Sequence, residues 1–394
     1  MTDADRGVPA ADDKSVSGLR RSASPARLAS LDQFRGFAVL GMYVVNFLGH
    51  FQVTPEFLRH HAAYAMDDGV VTTYVTYADM VMPQFFLAAG FACRLTVVRR
   101  LKCDGPRSAY GHLLQRCLGL LVIGLFVYGL DSAPRSWAEL QALGIRGFFA
   151  TAFQRNYFQT LVHLGVTTLW VMPVIAGAAW ERTAFAVFSG VLHLALSGFG
   201  YYTWVMARPG IDGGPLGFLT WTIPFMVGTL AYDLTTARAP AVRAVWFAVL
   251  GLVLMGCGYG LSCVRQPSST AADFGWRLAA PPLMPPTDSA DIFTMSQRAS
   301  SVSYLAFAAG FSLATLAAFV LACDVGRLQS RLLQTLGENA LVAYLLHYIV
   351  GRPLKLFSPK DAPAWFAIVV FVVFVWICVM GVRWLERKGV RLRL

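Results

Sequence analysis

Apolar runs of about twenty residues recur along nearly the whole chain, and they limit what it can become more than any other feature. They fall at roughly 31–49, 77–98, 112–130, 157–179, 183–201, 216–234, 242–262, 302–322, 335–352 and 363–383. A run of about twenty apolar residues is the length a helix needs to cross hydrocarbon. Barrel strands would be about ten residues long and would alternate polar with apolar side chains, which these runs do not. Of 394 residues, 56% are hydrophobic and 14% charged, against the roughly 25% charged residues of a soluble domain. The expectation is an all-α polytopic membrane protein of about ten transmembrane helices. It comprises a polar, disordered tail over 1–27 and one membrane domain over 28–394.

The net charge of +11 is informative through its placement. Basic residues gather at the ends of the runs: Arg20, Arg21 and Arg27; Arg99, Arg100 and Lys102; Arg238 and Arg243; Arg327 and Arg331; then Arg383, Arg387, Lys388, Arg391 and Arg393. With ten crossings these all fall on one side, and the positive-inside rule makes that side, with both termini, cytoplasmic. Anionic headgroups account for the surplus charge, and no continuous basic face points to a nucleic-acid partner. The lipid bilayer is the expected partner, and a homodimer stays open. The seven cysteines show no metal-ligand spacing and read as small apolar residues, so no metal is expected.

Polar residues inside or beside the first two runs carry the candidate chemistry. The segment reads RLASLDQFRGFAVLGMYVVNFLGHF, EFLRHHAAYAMDD and VTYADMVMPQFFLAAGFACRL, and it holds Asp32, Arg35, Asn46, His50, His60, His61 and Asp79. Ionisable groups at membrane depth are expensive and usually face a protein interior or a cavity. At 100° per residue, Arg35 and Asn46 lie nearly in line, with Asp32 close to the same stripe. The stripe reads either as a boundary ion pair with an amide bonded to a neighbouring helix, or as part of a site. An imidazole beside a carboxylate is suited to taking a proton near neutral pH. Asp79 reads equally well as a helix cap. His347 reads as a core histidine, and His112 and His193 as structural or interfacial. Trp170, Trp204, Trp221 and Trp246 read as packing and interface residues. Glu338 and Asn339 read as caps of the ninth helix on the cytoplasmic side.

The order LDxFRGFAxLxMxxVN, HAxY and TxxDMVMPxFFLxxG resembles the catalytic region of heparan-α-glucosaminide N-acetyltransferase and its bacterial relatives, in the transmembrane acyltransferase superfamily. GGPLGFLTWTIPFMVGTLAYD (213–233) and LGENALVAYLL (336–346) are similar to later family segments. The resemblance implies acetyl-CoA, or another acyl-CoA, as a cytosolic donor and a glycan or amino sugar on the far side as acceptor. It implies His61 as general base, because His61-Ala62-Ala63-Tyr64 fits the family pattern better than His60 does. It also implies Asn46 as a positioning amide, and Asp79 as the group that orients the imidazole or binds the acceptor. Arg35 at the cytoplasmic mouth, with Asp32, suits a CoA phosphate, and Asn339 faces the same side. His50 and His60 receive no role.

Two departures qualify the match. The loop after His61 is longer than the family's and carries Asp67 and Asp68. Leu161-Val162-His163 also stands where relatives have Leu-Gln-Arg, with Arg155 as the nearest substitute. Competing expectations are an O-acyltransferase of envelope polysaccharide and, from another class, a small-solute or proton-coupled transporter. A bacterial-type inner membrane is the expected location.

Overall fold

The computed structural model describes residues 28–60, 75–129, 134–152, 157–207, 211–264 and 291–389. Among the described residues there is no strand, and thirteen α-helices follow in order. They are α1 (Ala29–Tyr43), α2 (Tyr77–Cys103), α3 (Pro106–Tyr128), α4 (Trp137–Ala152), α5 (Thr160–Val171), α6 (Ala179–Leu196) and α7 (Tyr202–Ala207). The remainder are α8 (Phe218–Ala237), α9 (Pro240–Ser262), α10 (Val302–Phe319), α11 (Arg331–Glu338), α12 (Ala340–Leu356) and α13 (Ala364–Arg387). Short π-helical segments continue α1 (Val44–Leu48), α6 (Ser197–Tyr201) and α10 (Val320–Val325). Among the described residues, seven helical stretches are long and apolar enough to cross a membrane. The chain is an integral, multi-pass membrane protein.

A helix lies over every apolar run, with three local differences. The run at 157–179 stays helical only to Val171 and then turns through Met172–Gly177. Pro173 supplies no backbone N–H and crowds the residue before it, which ends a helix. The ninth run divides into α11 and α12 because Asn339 leaves helical geometry, with φ −122° and ψ 38°. Helix α4 occupies what reads as a loop in the sequence, a sixteen-residue amphipathic segment too short and polar to register as a span.

The interior is built on α2, α8 and α10, which are mostly buried, whereas α3, α6, α9 and α13 turn most of their apolar surface outward. Lipid tails are as apolar as leucine, so helices in a bilayer associate through close backbone contact between small residues. Gly90 and Gly228 provide this between α2 and α8. A Cβ at Gly90 would stand 1.9 Å from the Phe225 carbonyl oxygen, and one at Gly228 would stand 2.0 Å from that of Leu87. Above this crossing, Trp221 is fully buried, with ring centroids 4.7 Å from Phe86 of α2 and 6.2 Å from Tyr304 of α10.

Two groups of polar contacts mark opposite ends of the bundle. At the end where α1 begins, Asp324 accepts hydrogen bonds from Ser30 N–H (3.2 Å) and Oγ (2.6 Å) and pairs with Arg243. Nearby in depth, Asp233 pairs with Arg94 at 3.2 Å and with the fully buried Arg182. Arg94 also donates to the Ile175 carbonyl at 2.7 Å. At the other end, the segments entering α2, α8 and α10 converge, and they form the candidate site.

Candidate active site

The start of α2 organises this end. Thr76 is its N-cap and Asp79 its third residue, and Asp79 Oδ2 accepts the Thr76 N–H at 2.9 Å, half of a capping box. The Thr76 hydroxyl donates to the Arg59 carbonyl at 2.9 Å, which ties the preceding loop to the helix start. His60 is thereby carried onto Asp79, and its Nδ1 lies 2.8 Å from Oδ1. A carboxylate only accepts, so Nδ1 bears the hydrogen and Nε2 is the basic nitrogen. Asp79 thus both caps the helix and orients an imidazole. Its carbonyl also accepts the Tyr304 hydroxyl at 2.6 Å, which anchors the site to α10.

The Asp79 side chain is 3% exposed and that of His60 37%, so the carboxylate is held inside while the imidazole opens to solvent. Partial burial works against protonation of His60. The hydrogen bond and charge of Asp79, with the charge of Asp212 and a contact from Gln297, outweigh it and raise the imidazole above its ordinary value. The pair is arranged to take a proton from a hydroxyl or amine and hold it as an imidazolium.

Asn46 lies within the π-helical segment Val44–Leu48 that ends the first span. Such bulges are frequent at functional positions because they re-aim side chains. Its amide meets His347 Nε2 at 3.4 Å, and its carbonyl accepts Lys355 Nζ at 2.7 Å. His347 donates from Nδ1 to the Tyr344 carbonyl, so Nε2 is the acceptor facing Asn46. Tyr344 and Tyr128 share a hydroxyl hydrogen bond of 2.6 Å, and the Leu161 N–H donates to Tyr128 at 3.0 Å. Arg352 lies over the Tyr348 ring at 5.6 Å. These contacts make a polar, aromatic cluster where α1, α3, α5 and α12 meet.

The residues singled out in the sequence therefore separate into groups. Asp79 and His60 are together. Asn46 pairs with His347, the imidazole that reads from sequence as a core histidine. Asp32 and Arg35 form an i,i+3 pair at 4.0 Å at the opposite end. Asn339 bonds Glu386 Oε1 at 2.8 Å, joining the α11–α12 break to α13. His61, Tyr64, Asp67, Asp68 and Arg155 lie outside the described residues. Among the described residues no group of three or more His, Cys, Asp or Glu side chains is disposed to hold a metal ion.

Asp212 and Gln297 were not legible as site residues. Gln297 Nε2 donates to Asp212 Oδ1 at 2.9 Å across 85 positions of sequence. The only available signal was position: Asp212 immediately precedes the Gly-Gly-Pro turn into α8.

No curated protein matches the sequence significantly. A family model described as an acyltransferase domain matches residues 28–383, which contain every residue of the site just described. The chain belongs to that family of membrane acyltransferases.

Proposed function

We propose that the protein carries an acetyl or other acyl group from a cytosolic acyl-CoA to an extracytoplasmic glycan or amino-sugar acceptor, as heparan-α-glucosaminide N-acetyltransferase-like enzymes do. The observation that carries this reading is the 2.8 Å His60–Asp79 pair, at the end of the bundle opposite the Arg243–Asp324 and Asp32–Arg35 pairs. Acyl transfer needs a base where the acceptor's O–H or N–H meets the thioester carbonyl. His60 Nε2 takes that proton as the acceptor's oxygen or nitrogen bonds to the carbonyl carbon. The C–S bond then breaks, and the proton passes to the departing CoA thiolate. An oxyanion forms on the way and calls for a donor; the candidate is the N–H of the Asn46 amide that does not meet His347, reached by the acyl group between the two clusters. Arg35, with Asp32 and Asn339, faces the donor's phosphates. His61, next in sequence to His60, is the other base candidate.

The test is an acyl-transfer assay on purified protein with acetyl-CoA and glucosamine-terminated or hydroxyl-only glycans, comparing His60→Gln and His61→Gln. Loss of turnover in His60→Gln alone supports the assignment. Loss in His61→Gln alone moves the base by one residue. Failure of the wild type to bind any acyl-CoA removes the proposed donor.

A further inference from the structure

Asp212 is a buried carboxyl that the mechanism above does not use. It is 3% exposed and has a φ of 56°, in the left-handed region that a residue with a Cβ adopts at a cost and keeps only where its surroundings enforce it. Three contacts enforce it. Trp221 Nε1 donates to the Asp212 carbonyl at 3.0 Å, Gly213 N–H donates to the Arg298 carbonyl at 3.0 Å, and Gln297 Nε2 donates to the carboxyl at 2.9 Å. The loop entering α8 is thus clasped onto the loop entering α10, with Trp221 as the strut beneath. The Gln297 side chain also contacts His60. Four groups from separate segments therefore stand in sequence: Asp79, His60, Gln297 and Asp212.

We propose that Asp212 is a positioning residue for His60: a second carboxyl, linked to the imidazole through Gln297, that helps orient the ring and sets the pH at which it gives up its proton. The proposal rests on the reading of His60 as the base. The charged groups acting on His60 are Asp79 from α2 and Asp212 from the loop before α8, while the loop before α10 contributes the neutral Gln297. His60, Asp79 and Gln297 act on Asp212, and Asp212 in turn is within electrostatic reach of the hydroxyls of Tyr128, Tyr304 and Tyr348. Burial pushes its carboxyl up to about 7, against the opposing pull of His60 and Gln297. Both groups hold their protons above their ordinary values and act on one another's charge, so they titrate as a coupled unit.

The full chain in nanodiscs, with isotope-labelled histidine, gives the titration midpoint of His60 by nuclear magnetic resonance, its signal assigned by its absence in His60→Gln. Asp212→Asn keeps the acceptor oxygen for Gln297 but removes the charge. It is expected to lower the His60 midpoint by about one unit, at the small end of the effect of a nearby opposite charge. Asp212→Glu should stay close to wild type. The acid limb of the acyl-transfer pH profile should move down with the midpoint, a change that a purely structural defect would not produce. An unmoved midpoint in folded Asp212→Asn overturns the proposal. If that variant does not fold, Gln297→Leu carries the test, since breaking the link must also lower the midpoint and an unmoved value overturns the idea. A shifted midpoint without turnover refutes the acyl-CoA reading alone, and turnover with an unmoved midpoint refutes the role of Asp212 alone.

Discussion

Replacing Gly228 or Gly90 by alanine adds one methyl group at the α2–α8 crossing, and the structure gives the size of the disturbance. A Cβ tolerates nothing closer than 3.0 Å, so the shortfall is about 1.1 Å at Gly90 and about 1.0 Å at Gly228. In both cases the obstacle is a backbone carbonyl of the facing helix, which no rotamer change can move aside. The helices must part by about an ångström, at a cost of about 1–3 kcal/mol for overpacking. The same displacement acts on the contacts that tie α2 to its neighbours near the site, including the 2.6 Å Tyr304–Asp79 hydrogen bond. A misplacement of about 1 Å costs roughly a hundredfold in rate. The assay is thermal unfolding in detergent, followed by a thiol-reactive dye, for which the buried thiols of Cys93, Cys117 and Cys378 are reporters. Gly256→Ala on α9 is the control, because a Cβ there meets nothing within 4 Å. Both crossing variants should melt below the control and lose turnover. Melting at or above the control would refute the close-contact reasoning.

Four further outcomes are expected. Asp79→Asn should reduce acyl transfer by about 10²–10⁴-fold, the range of general acid–base catalysis, and a tenfold or smaller loss would argue against the His60–Asp79 pair as the base. Asp212 and His60 both bind protons more tightly in the folded chain than at their ordinary values of 3.8 and 6.5. Stability should therefore be greatest below those values and fall as pH rises through about 7 and through the raised His60 value; melting points from pH 5 to 9 should show a slope that Asp212→Asn flattens. Asp324→Ala leaves the largely buried Arg243 without its carboxylate and should cost about 3–5 kcal/mol, most of it recovered in the double variant Arg243→Met/Asp324→Leu. Exposed Cys103, at the end of α2, should react with an impermeant maleimide only in inside-out vesicles if the basic ends are cytoplasmic, and reaction in right-side-out cells would invert the topology.

The helices were legible because a long apolar run has few other solutions in lipid, where every backbone polar group must be satisfied within the segment. What the runs could not show was where a single residue breaks them, as Pro173 and Asn339 do. Helix α4 escaped notice because Glu139, Gln141 and Arg146 interrupt its apolar residues and Gly144 breaks its helical geometry. In the site, Asp79 stood out as a carboxylate beside apolar sequence; it caps α2 and meets the imidazole of His60, a residue to which the sequence reading gave no role. Spacing did not separate His60 from His61; the family pattern favoured His61, which lies outside the described residues. Asn46 was visible as a polar residue in an apolar span, but its partner His347 lies 301 positions away. Asp212 and Gln297 acquire meaning only when two loops close on one another, which no local pattern encodes.

The early end of α5 has a consequence for distance. Twelve helical residues rise about 18 Å, and hydrocarbon is about 30 Å thick. The remaining depth beside α5 is filled by the turns of Met172–Gly177. Non-helical backbone survives at such depth only where protein or water receives its polar groups, and Arg94 does so at Ile175. The polar backbone exposed where α5 ends is thus received by a side chain of α2, which ties the end of one helix to the middle of another.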